Sequence, residues 1–116
     1  MKKTHFVFAS LIFVLPAAVI AQQPDSKMSQ DMNMSPASKE YMSGMQKMHS
    51  GMMNAMKEQD ADRAFASGMI EHHKGAIAMA ETELKYGKDP EMKKMAEDII
   101  KAQKGEIEHM ETWLKK

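Results

Sequence analysis

From residue 39 to the C-terminus the apolar positions recur at helical spacing. Tyr41, Met45, Met48, Met52 and Met56 follow at intervals of four, three, four and four. That spacing draws one stripe along an amphipathic helix. Ser38 is the expected N-cap, with Lys39 and Glu40 in the first turn. Gly44 and Gly51 each cost the helix about 1 kcal/mol relative to alanine. The helix is therefore expected to depend on tertiary contacts or on a ligand. Gln59-Asp60 makes a short connection, and Asp60 or Asp62 can cap a second helix. On that helix Phe65, Met69, His73, Ala76, Ala80 and Leu84 share a face, flanked by Ile70 and Ile77 on one side and His72 and Met79 on the other. Gly87 suits a left-handed stop, and Asp89-Pro90-Glu91 reads as cap, first helical position and first-turn acid of a third helix. Met92, Ala96, Ile99, Gln103, Ile107, Met110 and Leu114 line its inner face. No segment alternates like a strand. The pattern predicts an all-α chain, about three helices, with the second and third forming an antiparallel hairpin.

The N-terminal segment reads differently. Lys2-Lys3 precedes an apolar run from Phe6 to Ala21 that ends Val19-Ile20-Ala21. This is the form of a cleaved secretory signal over residues 1–21. The run is short against the ~20 residues of a spanning helix, and Pro16 interrupts it; an uncleaved anchor is the competing reading. Residues 22–38 are rich in Gln, Ser, Asp and Pro and read as a flexible leader carrying Met28, Met32 and Met34. The helical domain follows over 39–116.

Charge narrows the function. Removal of 1–21 takes Lys2 and Lys3 and no acid, so 16 basic side chains become 14 against 16 acidic ones. A net charge near −2 gives no basic field for nucleic acid and no polybasic membrane patch, so neither is an expected partner of the exported chain. The Lys and Glu residues interleave at helical spacing, as on solvated helix faces. No nucleophile elbow, phosphate loop or catalytic Ser/His/Asp order occurs, and the expectation is a binding protein and not an enzyme.

The chemistry lies in sulfur. The chain has no cysteine and 15 methionines. Methionine fills cores, and that reading suits the stripes of the second and third helices. It suits the first helix poorly. There Met42, Met45, Met48, Met52, Met53 and Met56 are nearly all of the apolar residues, in an exported protein exposed to oxidation. Thioethers are soft, neutral donors that favour Cu(I), and by the same softness Ag(I), over harder divalent ions. After the signal four histidines remain. His49 has Met45, Met52 and Met53 three or four residues away; His72 and His73 both reach back to Met69; His109 adjoins Met110. Residues at those spacings share a helix face, which makes mixed His/Met sites available. The competing readings are a hydrogen-bonded core histidine for His73 and a plain surface residue for His49. Another rival is a Glu-x-x-His pair, Glu106 and His109, of the type found in di-iron bundles. A single copy of it cannot build such a centre, though a symmetric dimer supplies two.

The stretch from Asp62 onward resembles a known family. Asp62 and Phe65, the block Met69 to Ala80 with its double histidine, the turn Tyr86-Gly87-Lys88-Asp89-Pro90, and the ending from Gln103 to Leu114 are similar to the family called domain of unknown function 305. Glu71 stands where proline is frequent. The resemblance implies a ferritin-like antiparallel helical bundle, exported, and points to the copper-binding, CopM-like members, which take up Cu(I) and Ag(I) and support copper resistance. It implies Met48, His49, Met52, Met69, His72, His73, Met79 and Met110 as ligand candidates, beside Met45 and His109 from the reading of the residues themselves.

The combined expectation is a periplasmic Cu(I)-binding protein that sequesters or transfers copper to a partner protein, with Ag(I) as a second ligand. The open seam of three helices makes a homodimer a further expectation. Trp113 is expected in the core, with covering a site through its ring as the alternative. Alternatives from other classes are a ferritin-like di-iron protein and a Met-rich helical partner-binding module. Of the adjacent histidines, about 100° apart on a helix, His73 is expected to face the core and His72 the solvent.

Overall fold

A computed structural model of the chain describes residues 33–116. The segments read as signal and leader lie outside these residues up to position 32. Every regular element described is a helix: α1 spans Pro36–Ala55, α2 Ala61–Tyr86 and α3 Pro90–Leu114. The long middle helix α2 is packed on both sides, by α1 and by α3, and these outer helices share little contact. Short connections make each neighbouring pair antiparallel. The architecture is an all-α, bundle-like arrangement, as the apolar pattern predicts.

The caps follow the local chemistry. Asp60 accepts from the Arg63 N–H at 2.9 Å and Asp89 from the Met92 N–H at 3.0 Å. Each such cap contributes about 1 kcal/mol by satisfying a free amide of the first turn. The start of α1 departs from expectation. Ser35, not Ser38, is the cap, and its Oγ accepts from the Ser38 N–H at 3.1 Å. Pro36 explains this: it has no N–H to satisfy and its fixed φ suits the first helical position, so the helix begins one turn early. The stop of α2 also differs. Gly87 is extended, with φ −67° and ψ 153°, not left-handed. Glycine serves there because a Cβ would sit 2.5 Å from the Glu83 carbonyl oxygen and against the Glu83 carboxylate.

The core is thin. Its buried apolar residues are Ala66, Ile70, Ala80 and Ala96, joined by buried His73 and Thr82. Small residues dominate because α1 and α3 approach α2 closely. Several residues of the expected stripes are uncovered: Phe65 is 66% exposed, and Met45, Met56 and Met92 are also exposed. Phe65 stands on a part of α2 that the outer helices leave open, and the three methionines are on the outer elements themselves. None of the described helices is long and apolar enough to cross a membrane.

Candidate metal centre

The face of α2 that meets α3 carries Met69 and, one turn on, His73. The facing turn of α3 carries Glu106, His109 and Met110. These side chains, with Phe65, line a cleft of about 430 Å³ between the two helices. A neighbouring recess shares Phe65, His109 and Met110 and is bounded by Trp113. Trp113, expected in the core, is half-buried at the edge of this recess.

His73 is the anchor of this cleft. It is 5% exposed. Its Nε2 is paired with Glu106 Oε2 across the helix interface. Its other nitrogen, Nδ1, is buried and meets no hydrogen-bond partner. His72 points elsewhere: it is exposed, and the two rings stand 5.9 Å apart at 62°. The expected division between a core-facing His73 and a solvent-facing His72 is therefore what the fold produces.

The other sequence candidates do not join this cleft. Met45 and His49 are exposed on α1 and Met52 is half-buried there. Met48 lies across Gly75, with its Sδ where a Cβ at that position would stand, so it packs α1 onto α2. Met79 lines a separate groove of about 280 Å³ with Tyr41, Met92 and Met95. Tyr41 there donates to Glu83 Oε2 at 3.5 Å. Desolvation, and then the Glu83 carboxylate, push its phenol above the usual range. Sequence reading did not single out Met92 or Met95 as ligands, and it assigned Glu106 to a different chemistry. Their common signal, visible in retrospect, is position: Glu106 precedes His109 by three residues, and Met92 and Met95 are three apart, each pair on one helix face.

Residues 15–114 match the family described as Domain of unknown function (DUF305). The chain belongs to this family. It is also 42% identical over 53 residues to "Uncharacterized protein L153" of Acanthamoeba polyphaga mimivirus, a stretch covering 46% of this chain and 35% of the viral protein. This chain thus spans about a third of that relative.

What the DUF305 domain gathers at its α2–α3 cleft has a definite chemical character. Among the described residues no group of three or more His, Asp or Glu side chains is arranged to hold a metal. The carboxylate-rich centre of a di-iron bundle needs at least four such acids, and the described part of one chain does not assemble them. The cleft brings together two imidazoles and two thioethers, with a single carboxylate turned onto one of the imidazoles. Such a donor set suits soft monovalent ions.

Proposed function

We propose that this DUF305 protein binds Cu(I), and by the same donors Ag(I), and serves in the periplasm to sequester copper and pass it to a partner, which supports copper resistance. The supporting observation is the convergence of Met69, His73, His109 and Met110 on one cleft from two facing helices. Neutral soft donors at a water-accessible edge favour a low-coordinate Cu(I) ion. His109 is exposed and Met110 half-buried, so these two offer the side from which copper enters and leaves by ligand exchange. His73, held in the interface, is the fixed end of the site. The activity is binding and exchange, with no catalytic step. The periplasmic location rests on the signal-like character of residues 1–21.

Titration of reduced apo-protein with Cu(I) against a competing chelator tests the proposal. The expected result is a chelator-competitive site in the wild type that loses at least tenfold affinity, about 1.4 kcal/mol, in Met69→Leu/Met110→Leu. No Cu(I) binding at all removes the proposal. Iron loading with oxidase activity instead replaces it with the di-iron alternative.

The groove of Tyr41, Met79, Met92 and Met95 favours a second reading, a pliable surface for a protein partner. Exposed methionine adapts to varied apolar shapes. Pull-down by a purified copper-delivery partner, abolished by Met92→Glu/Met95→Glu with Cu(I) affinity unchanged, separates that surface from the metal cleft.

A further inference from the structure

The His73 ring presents an asymmetry that the copper reading alone does not require. One nitrogen is committed to a carboxylate on the facing helix. The other is buried and bonded to nothing in the protein. A carboxylate accepts hydrogen bonds and does not donate them. The bond to Glu106 therefore places the ring proton on Nε2. Nδ1 is then left with a bare lone pair, buried where an unmatched polar atom is destabilising.

We infer that Glu106 is a positioning residue that fixes His73 as the Nε2–H tautomer, so that His73 takes a soft monovalent cation through Nδ1. Three observations converge on this. Nδ1 is the free, buried donor atom. Met69, His109 and Met110 line the same cleft with His73. Glu106 has its carboxylate turned to the ring, while its side chain is 60% exposed. An imidazole that gives its second N–H to a carboxylate is a more basic and better-oriented metal ligand. The same bond withdraws Glu106 from the set of metal ligands. A free carboxylate in the cleft would favour harder divalent ions. One contact thus orients the imidazole and keeps the site soft. It also gives the Glu106/His109 pair a different role from that of a di-iron motif: only the histidine faces the metal, and the glutamate serves the histidine opposite.

The inference rests on the copper and silver reading and is tested separately from it. The experiment uses the full chain labelled with ¹⁵N-histidine, apo and loaded with Ag(I), whose nuclei are spin-active. Imidazole ¹H–¹⁵N correlation spectra report the tautomer of His73 directly. The expected apo spectrum shows Nε2–H and a bare Nδ1. The expected silver spectrum shows coupling at Nδ1, with the Nε2–H retained. An apo Nδ1–H tautomer overturns the inference. So does silver coupling at Nε2, or loss of the Nε2–H on loading, which would mean that Glu106 leaves the ring to bind the ion. Silver binding that leaves His73 unperturbed overturns the inference and spares the proposed function. Absence of silver and copper binding overturns both. Glu106→Gln is the companion variant. Its expected effect is a mixture of tautomers and a 10- to 100-fold loss of Ag(I) affinity, with helix content unchanged. A purely structural Glu106 would lower thermal stability in this variant and leave both tautomer and affinity as in the wild type.

Discussion

Met48 lies across Gly75, and its thioether fills the notch left by the missing Cβ. A methionine that the stripe pattern offers as a ligand thereby acts as the spacer that sets the distance between α1 and α2. A Cβ at Gly75 would stand 2.8 Å from Met48 Cγ and 3.0 Å from its Cβ. Those atoms are too near the backbone to swing aside, so the helices themselves must part.

Gly75→Ala therefore sets two effects against each other. Alanine gains about 1 kcal/mol of helix propensity, and overpacking costs about 1–3 kcal/mol. The expected net is a loss of stability, read as a lower thermal midpoint. Gly105 is the control. It lies within α3, and a Cβ there meets nothing within 4 Å. Gly105→Ala is expected to raise the midpoint by the propensity gain alone. A stabilised Gly75→Ala would show that α1 is not closely docked.

The clamp between the start of α1 and the end of α2 gives a pH dependence. Glu40 accepts from Lys85 Nζ at 2.5 Å and from the Tyr86 hydroxyl at 2.8 Å. The hydrogen bond from Lys85, then that from Tyr86, hold its carboxyl below the ordinary value of 4.5. A depressed carboxylate stabilises the fold above its unfolded pKa and loses that contribution as pH falls through the folded value. Urea midpoints measured below pH 4.5 should fall faster in the wild type than in Glu40→Gln, which has no such group to titrate. Parallel curves for the two proteins would remove Glu40 from the acid response. Exposure to solvent keeps the effect modest.

The two adjacent histidines should separate in function. His72→Ala changes an exposed side chain and is expected to shift stability by no more than about 0.5 kcal/mol. His73→Ala empties a buried interface position and removes the proposed metal ligand. It should cost stability and lower Cu(I) affinity at least tenfold, by thermal melts and chelator competition. Equal effects of the two substitutions on affinity would place both rings at the metal.

Self-association is the remaining expectation. Among the described residues three of the four buried apolar ones are alanine, and a core this small leaves little margin without disulfides. Met79, Met92 and Met95 are exposed around one groove. A second copy seated there would cover them, and sedimentation equilibrium should give twice the chain mass, reduced to one by Met95→Glu. A wild-type monomer at all concentrations sinks this expectation.

Much of this protein is legible along the chain because helices announce themselves locally. The helices themselves, the Asp89 cap and the Pro90 start depend on neighbours within one turn and stand where the pattern puts them, and of the two candidate acids Asp60 is the one that caps α2. So does the orientation of His73 against His72, since rotation about a helix follows from counting residues. The α1 cap departs from the pattern because two serines compete and the intervening proline decides between them.

Contacts between helices are a different matter. Nothing in the order of residues says that Met48 fills Gly75 while Met69 faces Met110's helix, because both are methionines at core-like positions. The fold alone decides this, through which helix lies on each side of α2. Nor does the chain disclose that Glu106 meets His73: the two are 33 residues apart, and only the antiparallel register of α2 and α3 sets one opposite the other. Sequence determined the helices and the supply of soft donors. Tertiary packing decided which of those donors share a cleft, and which nitrogen of the central histidine is left free to use.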